Sequence, residues 1–212
     1  MAIPKEVQES PHWDRWATAL SDNYNFNMQR NNYVAPERTV DLALPHLVQR
    51  ETVLDLGAGA GLVGKLLAKQ GFQVDGVDFS EGMLSKIPPR IYRELMQLDL
   101  RAKDLGDVIN VRYRNLISVG VYGDYLEPEH LKNALQLAED QATVAVAGYN
   151  DRMDGLKEIL EGQSFRIKEN RVEFAHNQFS RWVITKSIAL SIPNFLGGKR
   201  KVNYHYLVAV RE

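Results

Sequence analysis

Five residues stand at a spacing that can do chemistry: Asp55, then Gly57, Gly59 and Gly61, then Asp78. Alternating glycines let a backbone turn approach a ligand closely, because no side chain intervenes. An acid at the end of the following strand can accept hydrogen bonds from both hydroxyls of a ribose. A helix opening behind the glycines presents N–H groups that have no partner within the helix. A polar ligand bearing a sugar is therefore the natural occupant. The acids and glycines together argue against a turn that merely connects two elements.

Two ligands fit this pattern. Gly59-x-Gly61-x-x-Gly64, with Asp78 following Gly59 by 19 residues, matches the dinucleotide spacing. The other ligand is a nucleoside without a pyrophosphate. Asp55 weighs toward the second, since a carboxylate beside the turn repels a pyrophosphate and suits a cationic amino group.

The surrounding elements alternate. Residues 52–56, 72–77, 92–98, 115–122 and 143–147 are predicted strands. Residues 62–70, 80–87, 128–139 and 152–161 are predicted helices, with Gly71 and Pro88-Pro89 as stops. Three extended stretches close the chain at 165–174, 182–190 and 202–210. Before residue 50, Trp13, Trp16 and Leu20 repeat at helix spacing, as do Val40, Leu44 and Leu47, with Pro36 in the first turn of the second helix. Between them, residues 21–33 contain five asparagines and form a candidate lid. The expected fold is α/β: a doubly wound, mostly parallel Rossmann-like sheet with a C-terminal antiparallel edge and an N-terminal helical cap. One domain spans 1–212, divided into a cap or lid (1–50), a cofactor-binding half (51–150) and substrate-side strands (151–212). Ligands in such sheets bind beyond the carboxyl ends of the strands, where strand order reverses.

Val53-Leu-Asp-Leu-Gly-Ala-Gly-Ala-Gly-Leu62, followed by Val74-Asp-Gly-Val-Asp-Phe-Ser-Glu-Gly-Met-Leu84, resembles the first two motifs of the class I S-adenosylmethionine-dependent methyltransferases. The resemblance extends in order to about residue 150. It implies S-adenosyl-L-methionine as cofactor. Asp55 with the backbone of Gly57 and Gly59 would meet its methionine end, Gly61 would belong to the same cofactor-binding turn, and Asp78 would bind its ribose. Phe79 and Met83 would line the adenine face, with core packing as their alternative. Gln97-Leu-Asp99 resembles the third motif, so Asp99 would accept from the adenine amino group. Ser118 and Val119, leading to Gly120 at the end of the fourth strand, would pass the methionine amino group. The Asn/Asp-Pro-Pro-aromatic motif of members that methylate nucleic acid bases or glutamine is missing, because residues 118–122 read Ser-Val-Gly-Val-Tyr. A small-molecule acceptor is favoured and nucleic acid disfavoured.

Methyl transfer from a sulfonium is an in-line displacement in which the protein chiefly aligns the partners. A hydroxyl acceptor calls for a general base. His176 and His205, in the closing strands, are the candidates, with Tyr122 after the fourth strand. Tyr24, Tyr33, Asp124, Tyr149 and Trp182 are the candidate acceptor contacts. Asp124, Asn150 and Asp151 resemble only distantly an oxygen-ligated metal site, and no metal is expected.

Composition narrows the classes further. The 212 residues carry 26 Lys and Arg against 27 Asp and Glu, too even a balance for a whole-chain grip on a polyanion. Residues 152–212 are locally basic, with 11 cations and 6 anions. The absence of cysteine excludes disulfides, thiolate metal sites and thiol nucleophiles. Apolar runs fall far short of a membrane span, and the start has no signal-peptide core, so a cytoplasmic location is expected.

Overall fold

The computed structural model describes residues 32–122, 126–149, 153, 155–178 and 200–211. Its framework is a seven-stranded sheet made of β1 (Val53–Leu56), β2 (Val74–Asp78), β3 (Glu94–Gln97), β4 (Tyr113–Val119), β5 (Ala138–Tyr149), β6 (Phe165–Gln178) and β7 (Arg200–Arg211). The order is β3-β2-β1-β4-β5-β7-β6. The first five strands are parallel, and β7 runs antiparallel to both β5 and β6. Strand order reverses between β1 and β4, so the crevice opens there, directly above the glycine turn.

β1 and β2 are buried along their whole length, as a parallel sheet covered on both faces requires. One face packs under α1 (Ala35–Ala43) and α2 (Leu62–Lys69): Val40, Val63 and Leu67 meet Val53, Val74, Ile117 and Ala145. The other packs under α4 (Leu105–Val108), α5 (Leu131–Leu135) and α6 (Leu156–Gly162), where Leu105, Leu131 and Leu156 meet Leu54, Leu116 and Val144. The short α3 (Glu81–Leu84) follows β2, capped by the Ser80 hydroxyl, which accepts from the N–H of Met83. The segment after α1 is pinned to the amino-terminal side of the sheet. There the Asn115 side chain exchanges two hydrogen bonds with Val48, and the Thr143 hydroxyl donates to the carbonyl of His46.

The predicted alternation is present, with shifted bounds. The helix predicted for 128–139 divides into a 3-10 turn, Pro128–His130, and α5; the chain then enters β5 at Ala138. Gln141, at φ 59°, marks an irregular start to that strand, which hid its first residues from a period-two reading. α4 was not predicted at all. The predicted helix at 13–20 and the predicted strand at 182–190 lie outside the described residues. Among the described residues, no helix is long and apolar enough to cross a membrane.

Candidate active site

After Leu56 the chain turns sharply, with Gly57 at φ 80°. A side chain is excluded there twice over: L residues rarely adopt that conformation, and a Cβ would stand 2.2 Å from Cγ2 of Val121. The N–H groups of Gly57 and Ala58 both donate to the carbonyl of Val77, lacing the turn to the end of β2. Asp78 continues the lacing. Its Oδ2 accepts from the N–H of Gly59 at 2.8 Å and its Oδ1 from the N–H of Ser80 at 2.9 Å. An ionised carboxylate has about four acceptor positions, so backbone bonds that fix its plane are compatible with further donors.

Above this turn lies an open cavity of about 240 Å³. On the β2–β3 side its wall is formed by Asp78, Phe79, Met83 and the run from Leu98 to Arg101. On the β1–β4 side it is formed by Gly57, Gly59, Val119, Gly120 and Val121, with Tyr33 and Leu126. Gln97 donates to the carbonyl of Phe79 at 3.1 Å, holding the ends of β2 and β3 together. Asp99 is gripped by Arg101, through its N–H at 2.9 Å and its guanidinium at 2.5–3.0 Å. Burial pushes the Asp99 carboxyl up, but the Arg101 bonds outweigh it and hold the group below the usual carboxylate range.

Asp55 stands one layer behind the cavity. It is 1% exposed, enclosed between β1 and α2. Its Oδ2 accepts from the Tyr92 hydroxyl at 2.6 Å, and its Oδ1 has no hydrogen-bond partner among the described residues. Burial pushes this carboxyl up to about 7, against the opposing Tyr92 bond and with some help from nearby Asp78.

Several expected site residues sit elsewhere. Ser118 is buried, and its hydroxyl donates to the carbonyl of Leu56 at 2.8 Å. It ties β4 to β1 and does not reach the cavity, because it shares the face of Leu116, two residues back. Tyr122 is wholly buried in the core on that same face, with its hydroxyl unpartnered among the described residues; burial raises its phenol far above the range of a base. Gly61 is not on the wall either. It opens α2 at φ 80°, against Ile87 and Tyr92. The His205 ring meets the Asn170 side chain at 2.6 Å, away from the cavity wall. Tyr149 packs on Tyr204, ring centroids 5.0 Å apart, and Tyr204 stands edge-on to Tyr33 at 6.1 Å. His176 lies on β6, and its side chain is outside the described residues, as are Tyr24, Asp124, Asn150, Asp151 and Trp182. The sequence reading missed Arg101 and Tyr92. Arg101 carried a usable signal: a cation two residues past an acid at a strand end can fold back onto it.

The family model for a methyltransferase domain matches residues 53–143. A search of curated proteins by sequence finds no match. Among solved structures, the chain is similar to magnesium protoporphyrin IX methyltransferase (ChlM) from Synechocystis PCC 6803, crystallised with bound SAM. The TM-score is 0.61 at 21% identity, covering 98% of this chain and 95% of that one. It is also similar to TehB from Haemophilus influenzae, with TM-score 0.60, 16% identity and 83% of this chain covered; the match spans 62% of TehB. A third similarity is to a putative RNA methyltransferase from Pyrococcus horikoshii, with TM-score 0.60, 13% identity, and 84% and 81% of the two chains covered.

Proposed function

We propose that the chain is a class I S-adenosylmethionine-dependent methyltransferase whose cavity aligns that cofactor with a small-molecule acceptor for in-line methyl transfer, a reading supported by the methyltransferase-domain model over residues 53–143 and by the similar fold of a methyltransferase crystallised with SAM. One observation carries the reading: Asp78, its plane fixed by the N–H groups of Gly59 and Ser80, faces the cavity at the switch point, where a ribose diol would meet it. Other features fit the same group. The missing side chains at Gly57 and Gly120 leave backbone as the wall, and the unpartnered Oδ1 of Asp55 puts uncompensated acceptor capacity behind the turn.

When bound, S-adenosylmethionine supplies an electrophilic methyl group on a sulfonium. The chain's residues do the remaining work. Asp78 would hold the sugar, Phe79 and Met83 would flank the adenine, and Asp99 would accept from its amino group. The glycine turn with Val119 would bound the methionine end. Asp55 would contribute through the field of its carboxylate, one layer back. Tyr33 and Leu126, on the β1–β4 side, would border the acceptor, with Tyr149 behind through Tyr204. Alignment of this kind can remove several kcal/mol from a bimolecular barrier. Of the proposed catalytic bases, His176 stays a candidate; His205, held by Asn170 off the cavity wall, is a weaker one.

Calorimetry with S-adenosylhomocysteine tests the cofactor, and binding is expected. Incubating a cell lysate with methyl-labelled S-adenosylmethionine tests the acceptor, with label expected in the small-molecule fraction. Label confined to protein or RNA would overturn the acceptor class and leave the cofactor reading standing.

A further inference from the structure

The glycine pattern serves a side chain as well as a ligand. A Cβ at Gly64 would lie 2.2 Å from the Tyr92 ring, one at Gly76 would lie 2.8 Å from it, and one at Gly61 would lie 3.3 Å from it. Three side chains are thus absent where one phenol ring fits between α2 and β2. Gly76 pairs with Asp55 across β1 and β2, so the ring lies beside the buried carboxylate. The Tyr92 hydroxyl donates to Asp55 Oδ2 at 2.6 Å and accepts from the N–H of Gly64 at 3.2 Å. That N–H belongs to the first turn of α2 and has no partner within the helix. Gly61, at the capping position, has no side chain to supply one. A phenol 28 residues away caps the helix instead.

We propose that Tyr92 is a positioning residue of the cofactor site. Its hydroxyl links the carboxylate at the end of β1 to the first turn of α2, and so sets the shape of the glycine turn strung between them. The inference rests on the methyltransferase reading and adds to it a residue that does not line the cavity. The groups facing the Asp55 carboxylate among the described residues are the Tyr92 hydroxyl, the Asp78 carboxylate and the N–H of Gly64. Lys65 and Lys69 on α2 point to solvent. The phenol is therefore the stronger of the two donors that favour ionised Asp55, ahead of the Gly64 N–H, and an ionised Asp55 favours a ligand that bears a cationic amino group.

Calorimetric titration of the full-length chain with S-adenosylhomocysteine, between pH 6 and 8.5, tests this. The wild type is expected to bind, and to bind more weakly as pH falls through about 7, where Asp55 takes up its proton. Tyr92→Phe keeps the ring and removes the hydroxyl. It is expected to bind roughly tenfold more weakly at pH 8, with its decline beginning at higher pH. Tyr113→Phe removes a phenol from Asp75, away from the cavity, and is expected to change neither quantity. A Tyr92→Phe protein that melts lower but keeps the wild-type affinity and pH midpoint would overturn the proposal. Should that variant not fold, amide exchange of the wild type decides: slow exchange at Gly64, slowed further by S-adenosylhomocysteine, is expected, and fast exchange overturns it. A wild type that binds no S-adenosylhomocysteine fails the cofactor reading, and this inference with it.

Discussion

Asp55 on β1 and Asp75 on β2 are both buried in the middle of the sheet, one strand apart, and their surroundings differ sharply. Asp75 has a full set of partners. The Arg93 guanidinium bridges both its oxygens, with Nε 2.9 Å from Oδ1, and the Tyr113 hydroxyl donates to Oδ2 at 2.9 Å. Asp55 has one phenol and one unanswered oxygen. A buried charge with a complete hydrogen-bond set is tolerable, whereas one lacking a partner is costly. Asp75 therefore reads as structure: it fastens β2 to the lead-in of β3 and to the start of β4. On the proposed function, the opposite charge that Asp55 lacks would come from the ligand in front of the turn, acting across one layer. The difference teaches that two acids buried alike can differ in how much of their hydrogen-bonding capacity the chain itself satisfies.

Substitutions can break or sharpen that contrast. Asp75→Ala should have the largest effect, removing about 3 kcal/mol of stability by orphaning Tyr113 and Arg93, the second partly relieved by its solvent exposure. Denaturant unfolding measures it, and cofactor affinity should be unchanged. Asp78→Ala should weaken S-adenosylhomocysteine binding roughly a hundredfold, about 2.7 kcal/mol, since it removes the sugar's acceptor and frees the N–H of Gly59. Asp55→Asn should act in opposite directions on two measurements. Because the folded protein holds the Asp55 proton up to about pH 7 while the unfolded chain releases it near 3.8, the wild-type apo-protein loses stability as pH rises through that window. Asparagine removes the loss, so the variant should be more stable than wild type by on the order of 2 kcal/mol at pH 8, and by little at pH 4. Its cofactor affinity should nevertheless fall and lose its pH dependence. Equal stabilities at pH 8 would mean that Asp55 carries no unmet charge. Ser118→Ala should be the mildest, costing about 1 kcal/mol of stability for one buried hydrogen bond and leaving cofactor binding intact.

The legible and illegible parts of the site divide by sequence distance. Gly57, Gly59 and Asp78 could be read because a strand, a turn and a helix in succession leave a local signature. Phe79, Met83 and Asp99 came from the resemblance to the methyltransferase motifs, and all three line the cavity. Ser118 and Tyr122 were misplaced because position at a strand's carboxyl end does not say which face a side chain takes; Ser118 follows Leu116 into the layer under α5 and α6. Tyr92 was missed for a different reason. Its meaning depends on Gly61, Gly64 and Gly76, three absences that become one space only when α2 packs on β2. The third glycine of the dinucleotide-like spacing, Gly64, thereby has a reason unrelated to any pyrophosphate. The parallel, doubly wound sheet was legible from alternation and its antiparallel edge from the closing strands that break it, whereas the early start of β5 was not, since its irregular entry breaks the period.

The stapling of the chain beyond α1 has one further consequence. With Val48 and His46 fastened to Asn115 and Thr143, and Arg38 paired with Glu173 on β6, that helix is a fixed post whose upper end delivers Tyr33 to the cavity rim. A ligand entering beside Tyr33 therefore meets a helix already held in register with the sheet beneath it.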